Sequence, residues 1–272
     1  MNWLVQYFEH IPSLHRALIL AGGITFFWLL ESIIPFFEFG YNKWKHAGIN
    51  IFFTITTLII NFGFAFLIVI TSDWCVTHRF GLVQWIAMPL WIQLIVGLLL
   101  LDLIGAYTIH FIEHKVKWMW KFHMVHHTDT HVDTTTANRH HPGESVFRAV
   151  FALIAVFVTS APVWMIMLYQ SLSVVLAQFN HANIKMNQVL DKALRTVFVT
   201  PNMHRVHHHY LRPETDSNYG NIFSLWDKLF GTYRYRPTNE LKYGLDILKT
   251  RNDENLKDQL KIPFDKDVRT DF

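Results

Sequence analysis

The chain has 272 residues; 51% are hydrophobic, 15% aromatic and only 17% charged, a balance that suits a membrane protein better than a soluble domain, where about a quarter is charged. A formal net charge of +3 is too small to argue for nucleic acid as a partner. The single cysteine, Cys75, excludes a disulfide framework, a Cys-ligated zinc and an iron–sulfur cluster within one chain, and is read as a small buried apolar residue.

In chain order, the first 16 residues lack the basic stretch of a secretory signal and the following run has no evident cleavage site, so that run is read as a retained span. Ala17 to Phe37 is apolar apart from Glu31, and Gly48 to Thr71 and Phe80 to Leu101 carry no Lys, Arg, Asp or Glu. Each is long enough to cross a hydrocarbon core, which takes about 20 helical residues. A fourth uncharged stretch, Ala149 to Ile184, is too long for one helix and short for two full spans. Proline cannot continue a helix that precedes it, so Ser160-Ala161-Pro162 is the expected break. The reading is a hairpin of two short helices, Val146–Thr159 and Pro162–Asn180. From Glu240 onward charges of both signs dominate, and Leu241, Leu245, Leu248, Leu256 and Leu260 suggest a surface helix in a solvated tail.

Thirteen of the 17 histidines fall between His110 and His209. They form His110-x3-His114, His123-x2-His126-His127 and His204-x2-His207-His208, with His141 before the hairpin and His181 after it. If the hairpin enters the bilayer and returns, all of these face one surface; a single long helix would strand His181. That surface is expected to be cytosolic, because Lys43, Lys45, Lys115, Lys117, Lys121, Arg139 and Arg148 crowd there while Arg16 and Arg79 lie opposite. Trp118 and Trp120 read equally as interfacial anchors or packed residues.

Helical residues three and four apart share a face, so each cluster points one way. Two, three and three ligands, with His141 and His181, make ten, enough for two metal ions with five nitrogens each. Crowded imidazoles cannot comfortably charge, and metal binding fixes the neutral form. His10, His15, His46 and His78 are read as surface or hydrogen-bonded residues, and His131, His140 and His209 break the spacing. Imidazole suits zinc, copper, iron and nickel alike. The segment His110-Phe111-Ile112-Glu113-His114 also matches the inverted zinc-peptidase pattern, with Glu113 as general base, which gives a membrane zinc-dependent hydrolase as the alternative. A metal transporter is a third reading, disfavoured because transport sites lie near the bilayer midplane.

The chain resembles the fatty acid hydroxylase and sterol desaturase superfamily of membrane di-iron oxidoreductases, especially its bacterial-type members. The matching segments are Asp102 to His114, Trp120 to His127, Asp133 to Pro142, His181-Ala182-Asn183, Thr200 to His208, Ser217 to Gly220 and Trp226 to Tyr233. They span Leu98 to Tyr235, half the chain, in the family's order. The resemblance implies an iron pair, dioxygen as oxidant and a lipid C–H bond as target, hydroxylated or desaturated. Zinc is expected as a substitute in purified protein. It implies ligand roles for His110, His114, His123, His126, His127, His141, His181, His204, His207 and His208; His141, which precedes the proline, is carried over in place of His140. No fused haem or flavin segment is recognisable, so electrons are expected from a separate reductase or small carrier. Among the carboxylates available behind the imidazoles, Asp102, Glu113, Asp129, Asp133, Asp216 and Asp227, the first two are the candidate catalytic residues. Asp102 lies at the membrane boundary, where an acid is functional by default. Asn218, Tyr219 and Trp226 are read as closing the final loop, and Arg139 and Arg205 as partners of a phosphate headgroup or of nearby acids.

The expected architecture is all-α: a polytopic membrane helical bundle with a histidine-rich metal-binding cap on the cytosolic side, in a bacterial inner membrane. Residues 1–97 form N-terminal transmembrane helices, 98–239 the hydroxylase-like catalytic region with its hairpin, and 240–272 a charged tail.

Overall fold

A computed structural model describes residues 1–237, 240–248 and 253–270, which are helical and contain no strand. A short helix, α1 (Asn2–Glu9), precedes α2 (Ser13–Ile33), α3 (Lys43–Thr77), α4 (Leu82–Trp85) and α5 (Leu90–Asp102). A π-helical turn, Leu103–Thr108, joins α5 to α6 (Ile109–Lys115), and α7 (Lys117–His127) follows. The hairpin is α8 (Pro142–Thr159) and α9 (Val163–His181); α10 (Gln188–Leu194), α11 (Pro201–His207), α12 (Leu225–Leu229) and α13 (Leu256–Lys261) follow among the described residues.

Among the described residues five segments are long and apolar enough to cross a membrane: Ser13–Ile33, Lys43–Trp85, Leu90–Lys115, Pro142–Thr159 and Val163–His181. Their outward faces carry large apolar side chains; Phe62 is 84% exposed and Phe66 70%. An unbroken apolar surface of this kind is costly in water and matches lipid.

The helices run past the uncharged windows. α3 begins at Lys43, where Asn42 caps it by accepting from the Lys45 amide at 3.0 Å, and continues through Asp73 to Thr77. Absence of charge marks the hydrocarbon layer, whereas a cap or a breaker marks the helix end. The third span starts at Leu90, behind Pro89, and not at Phe80, because 78–89 folds back as a turn and the short α4.

The hairpin is present. Ser160 takes the left-handed conformation (φ 58°) that ends α8, and Pro162 opens α9. Its tip is held by polar contacts: Ser72 Oγ donates to Ala161 O at 2.8 Å and Gln84 Nε2 to Ser160 O at 3.4 Å. Gly81 (φ 102°) packs so closely there that a Cβ would lie 2.6 Å from Ser160 Cβ. The tip is one end of the bundle, and α8 begins and α9 ends at the other.

At that other end Glu31, the lone acid in α2, is buried and accepts the amides of Thr134 (2.7 Å) and Asn183 (2.8 Å), with Lys43 Nζ at 3.7 Å. The tail is not a solvated appendage. Leu248, Ile262 and Val268 are buried against Phe53, Trp120, Met124 and Val125, and Lys45 pairs with Glu254 at 2.7 Å. Its described helix is α13, shorter than the leucine spacing suggests; residues 249–252 lie outside the described residues.

Candidate metal centre

Nine of the ten nominated histidines converge in two adjoining groups. His110, His114, His123, His127 and His207 form one; His126, His181, His204 and His208 form the other. Within each group one ring nitrogen per residue lies within 4.8 Å of all the rest, and every residue is buried. The rings of His127 and His208, one from each group, are 4.8 Å apart.

Helix geometry explains the division. At about 100° per residue, positions i and i+4 differ by about 40° and lie on the opposite side of i from i+3. His123 and His127 on α7 therefore join one group while His126 turns to the other. His204 and His208 likewise share a group, and His207 leaves it. α6 delivers His110 and His114, and α9 delivers His181 at its last residue. α11 is set by Thr200, whose hydroxyl accepts from the Met203 amide and donates to Asp191 at 2.6 Å, and by Pro201 at its first position.

The outward nitrogens fix the tautomers. Nδ1 of His110 faces Tyr219 O (2.8 Å), Nδ1 of His181 faces Ala177 O (2.7 Å) and Nδ1 of His207 faces Ser217 O (2.6 Å). A carbonyl only accepts, so each Nδ1 carries the proton and each Nε2 presents a lone pair inward. His123 Nδ1 is 2.7 Å from Glu144 Oε1 and His114 Nδ1 is 3.2 Å from Asp216 Oδ1, with the same consequence. Inside, Nε2 of His123 lies 3.1 Å from Nε2 of His110 and 3.2 Å from Nε2 of His127; Nε2 of His181 lies 3.2 Å from Nε2 of His126 and 3.0 Å from Nε2 of His204. Nε2 of His114 and of His207 are buried without a hydrogen-bond partner.

His110 and His123, each with its Nδ1 proton held outward, face lone pair to lone pair at 3.1 Å, which repels unless a cation lies between them. Two imidazoles bound about 2.1 Å from one ion, at 90–110° to each other, hold their nitrogens about 3.0–3.4 Å apart, the spacing observed here. Protonation does not relieve the crowding. Burial first, and neighbouring imidazoles second, hold His123, His126, His127, His204 and His208 well below the usual histidine range; burial and His114 do so for His207. The donor set fits a pair of divalent metal ions.

The tenth histidine is not brought in. His141 caps α8, its Nδ1 accepting from the Gly143 amide at 3.0 Å, and its ring lies against Phe122 and Phe264. Pro142 opens α8, and the cap contact with Gly143 holds the His141 ring beside Phe122 and Phe264, outside both groups. His140 lies nearer: its ring stacks on His126 at 4.9 Å and its Nδ1 meets Glu144 at 2.7 Å. Glu144, not singled out from the sequence, contacts His123, His140 and Arg148 together. Its signal was the position four residues after His140, one helical turn away.

Asp102 and Glu113 lie behind the histidines, not among their inward nitrogens. Asp102 is buried and accepts from Ile222 N (3.3 Å), Phe223 N (3.2 Å) and Trp226 Nε1 (2.9 Å). A π-helical turn, Leu103–Thr108, separates Asp102 from His110, and the donors of the last loop occupy the carboxylate. Glu113 is paired with Arg148 at 2.7 Å and lies 3.7 Å from the outward Nδ1 of His123. A general base must reach the proton it removes, and this carboxylate faces away from the inward nitrogens.

The arginines are structural. Arg139 is fully buried and donates to Val125 O, Asn50, Thr128 and Asp253 O; Arg205 donates to Asn202, Ala182 O and Ile184 O. Asp129 and Asp133 hold His46, at 2.8 and 3.3 Å. Trp118 is exposed, whereas Trp120 is buried with its ring 4.7 Å from that of His114. Asn218 (φ 55°), Tyr219 and Trp226 close the last loop as expected.

The sequence profile of the fatty acid hydroxylase family matches residues 94–232, which contain both histidine groups. The chain belongs to the fatty acid hydroxylase family. Among curated members, an ornithine lipid hydroxylase of Rhizobium tropici is 27% identical over 57% of this chain and 44% of its own length. Human alkylglycerol monooxygenase is 29% identical over 52% of this chain and 30% of its own. A cholesterol 25-hydroxylase-like protein of Danio rerio is 27% identical over 46% and 49%. The matches thus span less than half of each of these relatives. No solved structure matches the chain.

Proposed function

We propose that the protein is a membrane-bound, non-haem di-iron oxygenase that uses dioxygen to hydroxylate or desaturate a lipid C–H bond. The observation carrying this is the pair of buried all-histidine groups at one end of a bundle of membrane-crossing helices, in a family whose relatives bear the names of lipid hydroxylases and monooxygenases. Nine imidazoles and no cysteine suit redox-active iron pairs better than a four-ligand structural zinc.

His110, His114, His123, His127 and His207 would hold one ion, and His126, His181, His204 and His208 the other. When bound, the iron pair supplies dioxygen activation. The chain's own work is positional. Glu144, Asp216 and the carbonyls of Ser217, Tyr219 and Ala177 hold the imidazoles in the tautomer that points lone pairs inward. Burial of every ligand excludes water, and α8 and α9 bring the centre to the edge of the lipid layer, from which an alkyl chain reaches it. Two electrons from a separate donor complete the reaction. We place the centre on the cytosolic face of a bacterial inner membrane, by the charge asymmetry of the loops.

The placement of Glu113 against Arg148 disfavours the zinc-hydrolase alternative. Metal analysis and oxygen uptake separate the two. Two irons per chain, reductant-dependent oxygen consumption and cellular lipids that gain one oxygen atom or lose two hydrogens are expected. Zinc with no oxygen uptake after iron reconstitution would refute the oxygenase reading.

A further inference from the structure

The two metal positions differ in what stands behind their imidazoles. In the five-histidine group, His123 Nδ1 meets Glu144 at 2.7 Å and Glu113 at 3.7 Å, and His114 Nδ1 meets Asp216 at 3.2 Å. His110 reaches a carboxylate through a peptide. Its Nδ1 donates to Tyr219 O, and the N–H of that same peptide group, Gly220 N, donates to Asp227 Oδ2 at 2.9 Å. Gly220 permits this approach; a Cβ there would lie 2.9 Å from Asp227 Oδ2 and 2.7 Å from Phe223 O.

The four-histidine group has nothing comparable. Among the described residues no carboxylate oxygen lies within 4.0 Å of a ring nitrogen of His126, His181, His204 or His208. His181 alone has an outward partner, the neutral carbonyl of Ala177, while Nδ1 of His126, His204 and His208 are buried without one.

A carboxylate on the outward N–H draws its proton and makes the inward nitrogen a stronger donor to metal. A peptide polarised by a carboxylate passes a weaker form of the same effect along its hydrogen bonds. Cations offset part of the charge: Arg148 on Glu113 and Glu144, and Lys115 and Arg212 on Asp216. They do not replace the hydrogen bonds to the rings. Asp216 gives Oδ2 to Lys115 and keeps Oδ1 toward His114.

We infer that the two positions are unequal: the carboxylate-backed group of His110, His114, His123, His127 and His207 binds its ion more tightly and fills first. Asp216, Glu144 and Asp227 act as positioning residues for that ion; Glu144 touches the other group only through His140, whose ring stacks on His126. This rests on the proposal that both groups hold metal, but not on the lipid chemistry assigned to them.

Titration of metal-free, full-length protein in detergent with Co(II), followed by absorption spectroscopy, tests it. Two resolved binding steps are expected. Asp216→Asn, which keeps shape and removes charge, weakens the first step about 10- to 100-fold, leaves the second in place and shifts the spectrum of the first-bound ion; Asp216→Glu restores it. Glu144→Gln gives a second reading of the same step should Asp216→Asn fail to fold. His204→Ala removes the second step only. A single step of two equal ions, an Asp216→Asn protein with both steps unmoved, or loss of the first step in His204→Ala would overturn the inference. Equal steps in a protein that oxidises lipid would leave the functional proposal standing. Two unequal steps in a protein that oxidises none would do the reverse.

Discussion

Trp226 donates its indole N–H to the Asp102 carboxylate over 2.9 Å, tying the third membrane segment to the last loop of the cap. The same carboxylate accepts the Ile222 and Phe223 amides. Ser217 and Tyr219 in that loop supply the carbonyls that orient His207 and His110. Asp102 thus reaches His207 and His110 only indirectly, through the loop whose carbonyls face their Nδ1 atoms.

Asp102→Ala should therefore lower both stability and metal content. It leaves one buried and two partly buried donors unpaired, at about 1–3 kcal/mol for a buried one and less for the others. Asp102→Asn keeps an acceptor of the same shape and should retain most bound metal. Thermal unfolding with metal analysis checks both; equal metal loss in the two variants would contradict the positional role.

His141 and His181 make opposite predictions. His181→Ala removes one of four donors from its group and should leave about one ion per chain. His141→Ala should leave metal content unchanged and cost only the α8 cap, about 1 kcal/mol. Metal analysis of the two variants side by side decides the matter, and substantial metal loss in His141→Ala would return that residue to the ligand set.

Acid should destabilise the metal-free protein. His123, His126, His127, His204, His207 and His208 titrate well below the usual range in the fold, chiefly through burial. In the unfolded chain they titrate near pH 6.5. The unfolded state then binds more protons below about pH 6.5, so stability is full above that pH and falls as pH drops, by about 1.4 kcal/mol per histidine per pH unit. Unfolding of metal-free protein at pH 7.5 and 5.5 measures it; an unchanged midpoint would show that the fold does not hold these imidazoles neutral.

The tail should prove structural. Ile262 is fully buried with Trp120 and Met124, both on the helix that carries His123, His126 and His127. Ile262→Ala should cost about 2–5 kcal/mol, read as a lower unfolding midpoint. An exposed tail would give no change.

The sequence by itself determined the membrane helices, the hairpin and nine of the histidines that meet. Each is a local matter: a run without charge, a proline that ends a helix, a spacing that puts imidazoles on neighbouring faces. It also carried the family, because the His-rich segments recur in a fixed order. Helix geometry lets each triplet divide, but only tertiary packing decided which other histidines meet each part, because those partners come from α6, α9 and α11. The same holds for the choice between His140 and His141, which turns on where each ring packs: His141 caps α8, and His140 stacks on His126. The roles of Asp102, Glu113 and Glu144 were likewise out of reach, because a buried carboxylate takes its function from the donors that surround it, and those arrive from residues up to 124 positions away.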